Sequence, residues 1–228
     1  MTPVSFLKLH KEVIACESCP RLREWCTTVA REKRKSFAAW DYWGRPVPGF
    51  GDANARIWII GLAPAAHGAN RTGRIFTGDR SGDFLFEAMH RVGLASQPTS
   101  THRDDGLALS DCYISATARC APPANKPTLD EVKNCASFLD REWKLLKRKR
   151  VLLALGRIAW DAAIDLARRN GCDAKVRSAD FGHGAVAPLS DRLSLVGSYH
   201  VSQQNTFTGK LTKAMFDQVL RDCQRLSA

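Results

Sequence analysis

The chain has 228 residues, with 34 Lys and Arg against 23 Asp and Glu for a formal net charge of +11; 44% are hydrophobic and 25% charged. These ordinary globular proportions exclude a disordered, collagen-like or low-complexity chain, and the basic balance suits a polyanionic partner. The strongest apolar stretches, IWIIGLAPAA at 57–66 and VLLALG at 151–156, fall far short of the roughly 20 residues that span a bilayer. The N-terminus has no basic head followed by an apolar core and a cleavage site, so a cytoplasmic protein with no membrane contact is expected.

In chain order, residues 4–35 carry helical apolar spacing (Val4, Leu7, Val13, Ile14, then Leu22, Trp25, Val29) and end in the basic run REKRK. WGRPVPGFGD at 43–52 reads as a loop leading into a first strand, ARIWIIGLAP, whose short apolar run ending in Gly and Pro suits a buried parallel strand. A glycine-rich polar loop follows, then a helix in DFLFEAMHRVGL. DCYISATARC at 111–120 is a second strand, APPANKPT its loop, and LDEVKNCASFLDREWKLLKRKR a helix with Thr128 as N-cap and Glu131 three residues on. VLLALG and RIAWDAAIDLARRNG repeat strand and helix. RLSLVGSYHVS gives a fourth strand and loop, and KLTKAMFDQVLRDCQRL a closing helix.

This alternation predicts one α/β domain over 1–228, with a helical section at 1–50 packed on it and a mainly parallel sheet covered by helices on both faces. Ligands of such sheets bind at the carboxyl ends of the strands. The three least generic loops, GLAPAAHGANRTGRIFTGD, ARCAPPANKPT and SYHVSQQNTFTGK, each follow a strand and should share one crevice. No P-loop, GxGxxG, GxSxG or HExxH occurs to suggest nucleotide, esterase or zinc-protease chemistry.

The chain has eight cysteines. In a reducing compartment they point to metal rather than disulfides. Cys16 and Cys19 form a CxxC, and Cys120 with Cys135 a wider pair. One short and one long pair favours an iron-sulfur cubane over a zinc knuckle, with buried apolar thiols as the alternative. Cys26, Cys112, Cys172 and Cys223 lack partner spacing and read as buried thiols.

The loops GLAPAAHGANRTGRIFTGD, ARCAPPANKPT and YHVSQQNTFTG, together with the cysteine set, resemble family 5 (B-type) uracil-DNA glycosylases from Cys16 to the last helix. The neighbouring family 4 is similar, with GEAPG and GxPFVG where this chain has GLAP and GRIFTG. The resemblance implies a three-layer α/β/α sandwich around a four-stranded parallel sheet. It also implies a [4Fe-4S] cluster held by Cys16, Cys19, Cys120 and Cys135, and excision of deaminated bases from double-stranded or single-stranded DNA by a monomer, which would associate with the nucleoid through DNA.

By the same resemblance Gly61, Leu62, Ala63 and Phe76 meet the extruded base, Phe76 by stacking on it. His200 donates to the base oxygen as charge develops. Read from the residues, Asp79 orients water or faces the cationic sugar and Asn125 positions base or water, the rival readings being a satisfied core histidine, an ordinary turn aspartate and a loop-turn asparagine. Ser202, Gln203, Gln204, Asn205, Phe207 and Lys210 belong to the loop that contacts DNA, with Phe207 or the 203–206 segment as the wedge filling the vacated stack. Leu62 stands in place of the acid of GEAPG, and Ala116 in place of an asparagine that reads uracil. Losing that hydrogen-bonding reader weakens selectivity, so hypoxanthine and hydroxymethyluracil are expected as substrates. The rival readings are a non-catalytic iron-sulfur protein that binds nucleic acid and a zinc-stabilised structural module. The basic runs at 31–35 and 147–150 are candidate DNA contacts, although the second also suits the capping of a helix C-terminus.

Overall fold

The computed structural model describes residues 3–228. Two helices open it, α1 (Val4–Ile14) and α2 (Pro20–Glu32), separated by the CxxC segment, with Pro20 at the first position of α2, where its missing N–H is no loss. A two-residue strand β1 (Phe50–Gly51) precedes β2 (Ile57–Gly61), α3 (Ala69–Thr72), α4 (Arg80–Arg91), β3 (Cys112–Ala116) and α5 (Leu129–Leu145). Then come β4 (Val151–Leu155), α6 (Arg157–Arg169), β5 (Val186–Ser190), β6 (Leu193–Ser198), α7 (Gln203–Phe207) and α8 (Lys213–Ser227). No helix is long and apolar enough to cross a membrane among the described residues.

The sheet is six-stranded and mixed, in the order β1-β3-β2-β4-β6-β5, rather than four-stranded as expected. Its inner four strands, β3, β2, β4 and β6, run parallel, and the edges β1 and β5 pair antiparallel to β3 and β6. Every residue of β2, β3 and β4 is buried, which is why these segments read as unbroken apolar runs. The edges escape the same reading because β1 has two residues and β5 is largely exposed and contains Pro188, a residue tolerated only at sheet edges.

Alternation along the strands divides the core into two layers. Ile57, Ile59, Ile114, Val151 and Leu153 pack with Leu85, Met89, Phe216 and Leu220 from α4 and α8. Trp58, Ile60, Leu152, Ala154 and Leu195 pack with Trp160, Ala163, Ile164 and Leu166 from α6 on the other face. Each such large apolar side chain contributes about 1.5–3 kcal/mol by leaving water. α1 lies on α5 through Leu9, Val13 and Phe138.

Helix boundaries follow local chemistry. Thr128 and Glu131 close a reciprocal capping box at the start of α5, as its spacing predicts. Asp79 caps α4, which therefore starts three residues before the apolar run that announces it. The α5 helix ends at Leu145, so KRKR forms the turn into β4 rather than its last turn.

Candidate active site

β2 ends at Gly61, and the chain turns into the loop that carries Phe76 and Asp79. The Leu62 carbonyl accepts from Thr117 Oγ1 at 2.7 Å and from the Ala118 N–H at 3.0 Å, stitching this loop to the one after β3. Phe76 is buried and its backbone is left-handed, with φ of +52°, a conformation that costs a bulky residue about 1–3 kcal/mol. Its ring lies on Gly61, where a Cβ would stand 2.8 Å from Phe76 Cζ, so only glycine admits the aromatic there.

A buried clasp holds that strained segment. Arg74 donates to both oxygens of Asp105 at 2.7–2.8 Å, to Ser100 Oγ at 2.7 Å and to Thr77 Oγ1 at 2.9 Å. Burial works to raise the Asp105 pKa, but Arg74 and the N–H groups of Leu107 and Thr101 outweigh it and hold the carboxyl well below its usual range. The Gly78 N–H donates to the Ser100 carbonyl at 3.0 Å. Next in the chain, Asp79 accepts the Gly82 N–H on Oδ1 at 2.9 Å. Its other oxygen presses on Gly68, where a Cβ would come within 2.0 Å of Oδ2. Burial pushes this carboxyl up from its ordinary pKa, against the pull of the Gly82 and Ser81 amides. Asp79 is thus both the turn residue that caps α4 and a wall of the cleft.

The loops after β3 and β6 close the cleft. Ala124 and Asn125 are consecutive left-handed residues, φ +53° and +57°, that set the exposed Asn125 on the rim. The His200 ring stands 6.3 Å from that of Phe76, centroid to centroid. Burial alone lowers the His200 pKa, so at neutral pH the imidazole carries no charge. Together Leu62, Ala63, Phe76, Asp79, Asn125, His200, Ser202, Gln203 and Gln204 line one cleft of about 540 Å³ beyond the carboxyl ends of the strands. Ala65, Ser81 and Ala124 complete it. These three are small residues whose types carry no signal in the sequence.

Three of the expected DNA-loop residues do not line this cleft. Asn205 spends its amide on the His200 carbonyl at 2.8 Å, so it positions the histidine rather than standing free for DNA. Phe207 lies outside this cleft and is 76% exposed. Lys210 places its ammonium 4.9 Å from the Tyr199 ring centroid.

The cysteines converge beside the first loop. Cys19 and Cys120 pack with Leu22, Cys26 and Ala121 in one buried group, against which Ala66 of the first loop rests. Burial pushes the Cys19 thiol up, and Cys120 and Cys16 add to the rise. Burial pushes Cys135 up to about 11, with Cys120 and Cys19 contributing in the same direction. Cys19 therefore lies within electrostatic reach of Cys16, Cys120 and Cys135, and Cys120 of Cys135. Among the described residues no three His, Cys, Asp or Glu side chains are gathered to hold a single metal ion. Cys26, expected as an isolated buried thiol, instead neighbours Cys120 and donates to the Ala121 carbonyl at 3.5 Å.

The sequence pattern of the uracil DNA glycosylase superfamily matches residues 48–224. The chain belongs to that superfamily. It is 49% identical over 224 residues to a type-5 uracil-DNA glycosylase of Mycobacterium leprae, covering 98% of this chain and 96% of the relative. It is 50% identical over 213 residues to the type-5 enzyme of Thermus thermophilus (93% and 94% covered), and 44% identical over 209 residues to that of Pyrobaculum aerophilum (92% and 88% covered). Within the superfamily the chain therefore groups with type-5 proteins. The matched span holds every lining residue of the cleft.

Proposed function

We propose that this protein is a monofunctional DNA N-glycosylase that draws uracil out of DNA into the cleft above β2, β3 and β6 and hydrolyses its N-glycosidic bond. The observation that carries this reading is the meeting of Phe76, Asp79, Asn125 and His200, from three separate loops, around one cavity in a chain of this superfamily. A base stacked in a duplex is out of reach of such a cleft, so the nucleotide must be extruded at a cost of a few kcal/mol. The Phe76 ring offers the base a face, worth roughly 1–3 kcal/mol. The exposed Phe207 is suited to fill the gap left in the stack.

Bond cleavage leaves negative charge on the departing base and positive charge on the sugar. A neutral His200 serves as hydrogen-bond donor to the base oxygen as that charge grows. Asp79 lines the cleft, where an anion stabilises the sugar cation and orients water. Leu62 brings no carboxylate, which leaves Asp79 as the one acidic side chain lining the cleft among the described residues. No amide side chain stands at Ala116, which is buried at the end of β3. Readout of the base edge falls to Asn125 and the 202–204 backbone, a looser arrangement that supports acceptance of hypoxanthine and hydroxymethyluracil beside uracil.

The four cysteines suit a [4Fe-4S] cluster. Sulfurs bound to iron are hydrogen-bond acceptors, and N–H donors already face these: Asn134 Nδ2 lies 3.4 Å from Cys19 Sγ, Arg23 reaches Cys120, and the Arg119 backbone N–H reaches Cys135. Arg119 is 1% exposed, pairs with Glu142, leaves Nε and Nη1 without a partner and lies within electrostatic reach of Cys135. A buried cation with unspent donors is what an anionic cluster calls for. Cys16, Cys19, Cys120 and Cys135 would hold it, and so bound it would tie the start of α2 to α5 and the loop after β3, next to Ala66 of the first loop.

The test is single-turnover base release from duplex and single-stranded DNA bearing uracil, hypoxanthine or hydroxymethyluracil, with iron and acid-labile sulfide measured on the same preparation. Release of uracil alone removes the broad substrate range. DNA binding with no release favours the non-catalytic reading instead.

A further inference from the structure

A second cavity of about 820 Å³ adjoins the first and shares Ala65, Asp79, Asn125 and Gln203 with it. Its other walls are Arg34, Phe37 and Trp40 from the segment after α2, His67 and Arg71 from the first loop, Arg80 and Asp83 from α4, and Phe207. Arg71 is 3% exposed. It donates from Nε to the His67 carbonyl at 2.8 Å and from Nη2 to the Gly78 carbonyl at 2.7 Å, while Nη1 has no partner. Phe37 and Trp40 lie over its guanidinium at 3.9 and 4.0 Å. A buried cation with an unspent donor is costly unless the surface is built to meet negative charge. Arg80 is partly committed, 3.9 Å from Asp83. Arg34 is exposed at the cavity mouth.

We propose that this cavity holds the nucleotide adjoining the extruded one, with its phosphodiester drawn to Arg34 and Arg71 and its base against Trp40 and Phe37. The combination of cations and half-buried aromatic rings is the chemistry of single-stranded nucleic-acid grooves. A volume of this size accommodates one nucleotide. The shared residues make the two cavities one continuous track for a strand, and Phe207 lines its second part. The strand is therefore gripped with two consecutive nucleotides out of the stack, on one side of the lesion only. This inference rests on the reading of the first cleft as a base-excision site.

The experiment uses full-length protein and single-stranded oligonucleotides carrying one uracil, trimmed a nucleotide at a time toward it from either end. Wild-type protein should lose about tenfold in kcat/KM when the adjoining nucleotide is removed from one side and little from the other. Most of that loss should lie in KM. Trp40→Ala and Arg34→Ala should each weaken binding of the full-length oligonucleotide and respond much less to that same removal, the signature of coupling between side chain and nucleotide. Arg34→Ala should also reduce the slope of log affinity against log salt by about 1. Arg34 is exposed, so its variant stays informative if Trp40→Ala fails to fold. Equal sensitivity to trimming from both ends, or unchanged sensitivity in both variants, overturns the inference. If the wild type releases no uracil, the glycosylase reading falls. Fluorescence anisotropy on the same oligonucleotide series then decides the second cavity by itself.

Discussion

The basic runs REKRK at 31–35 and KRKR at 147–150 are alike in sequence and unlike in place. The first runs out of the last turn of α2 and delivers Arg34 to the cavity beside the active cleft. The second precedes β4, at the amino ends of the parallel strands, across the sheet from every lining residue of the cleft. There Lys149 donates to the Trp143 and Leu146 carbonyls at 2.8 and 3.3 Å, caps the end of α5 and lies 4.2 Å from the Trp143 ring centroid. Burial lowers its pKa to about 8. Charge clustering is a local property of the chain, but its use depends on which end of the sheet the topology assigns to it.

The sharpest way to test that contrast is to remove charge at each end. Asp79→Asn keeps a good helix cap while deleting the carboxylate. It should slow base release by about a hundredfold or more, as should His200→Ala. Arg148→Ala should change release less than about twofold. The pH profile gives the same comparison a sign. Because burial raises the Asp79 carboxyl, activity should fall on the acid side at a pH above its ordinary 3.8, and that limb should vanish in Asp79→Asn. Because burial lowers His200, its neutral form should persist below 6.5.

Next in size is the clasp that supports the carboxyl end. Arg74→Ala leaves Asp105 buried and unpaired, and should destabilise the protein by about 3–5 kcal/mol in denaturant titration. Asp105 is depressed in the folded state, so its stabilisation is fully present above the unfolded carboxylate pKa. It should be lost as pH falls through the lower folded value. A variant as stable as the wild type would break this account of how Phe76 is held.

The cysteine patch gives a third comparison. Cys120→Ser should abolish iron binding and visible absorbance, whereas Cys26→Ser, at the adjacent sulfur, should retain both. Loss of iron from both would bring Cys26 into the ligand set. A smaller effect than at Asp79 or His200 is expected of Gly61→Ala, whose Cβ displaces the Phe76 ring. It should reduce release by several-fold, with little change in stability.

Much of this was written locally. The continuous apolar runs of β2, β3 and β4 announce strands buried on both faces, and Thr128 with Glu131 marks the start of α5 within one residue. The loop motifs bring Phe76, Asp79, Asn125 and His200 to one crevice because parallel strands must release their loops at a common end. The edges β1 and β5 were not legible, since two residues and a half-exposed segment with a proline carry no periodic signal. Nor was the neighbouring cavity, because Arg71 meets Phe37 and Trp40 only after α2 and the first loop have packed, and nothing in either segment names the other. Asn205 reads as a surface residue for the same reason: its partner is a backbone carbonyl, which has no residue type.

The Arg74 clasp draws all its partners from the chain itself. A binding wall fixed in advance cannot mould itself around its guest, so the choice among candidate bases is made by fit on entry and not by later adjustment. Changes in the tether beneath Phe76 would therefore act on selectivity as surely as exchanges at the positions a base touches, such as Ala116.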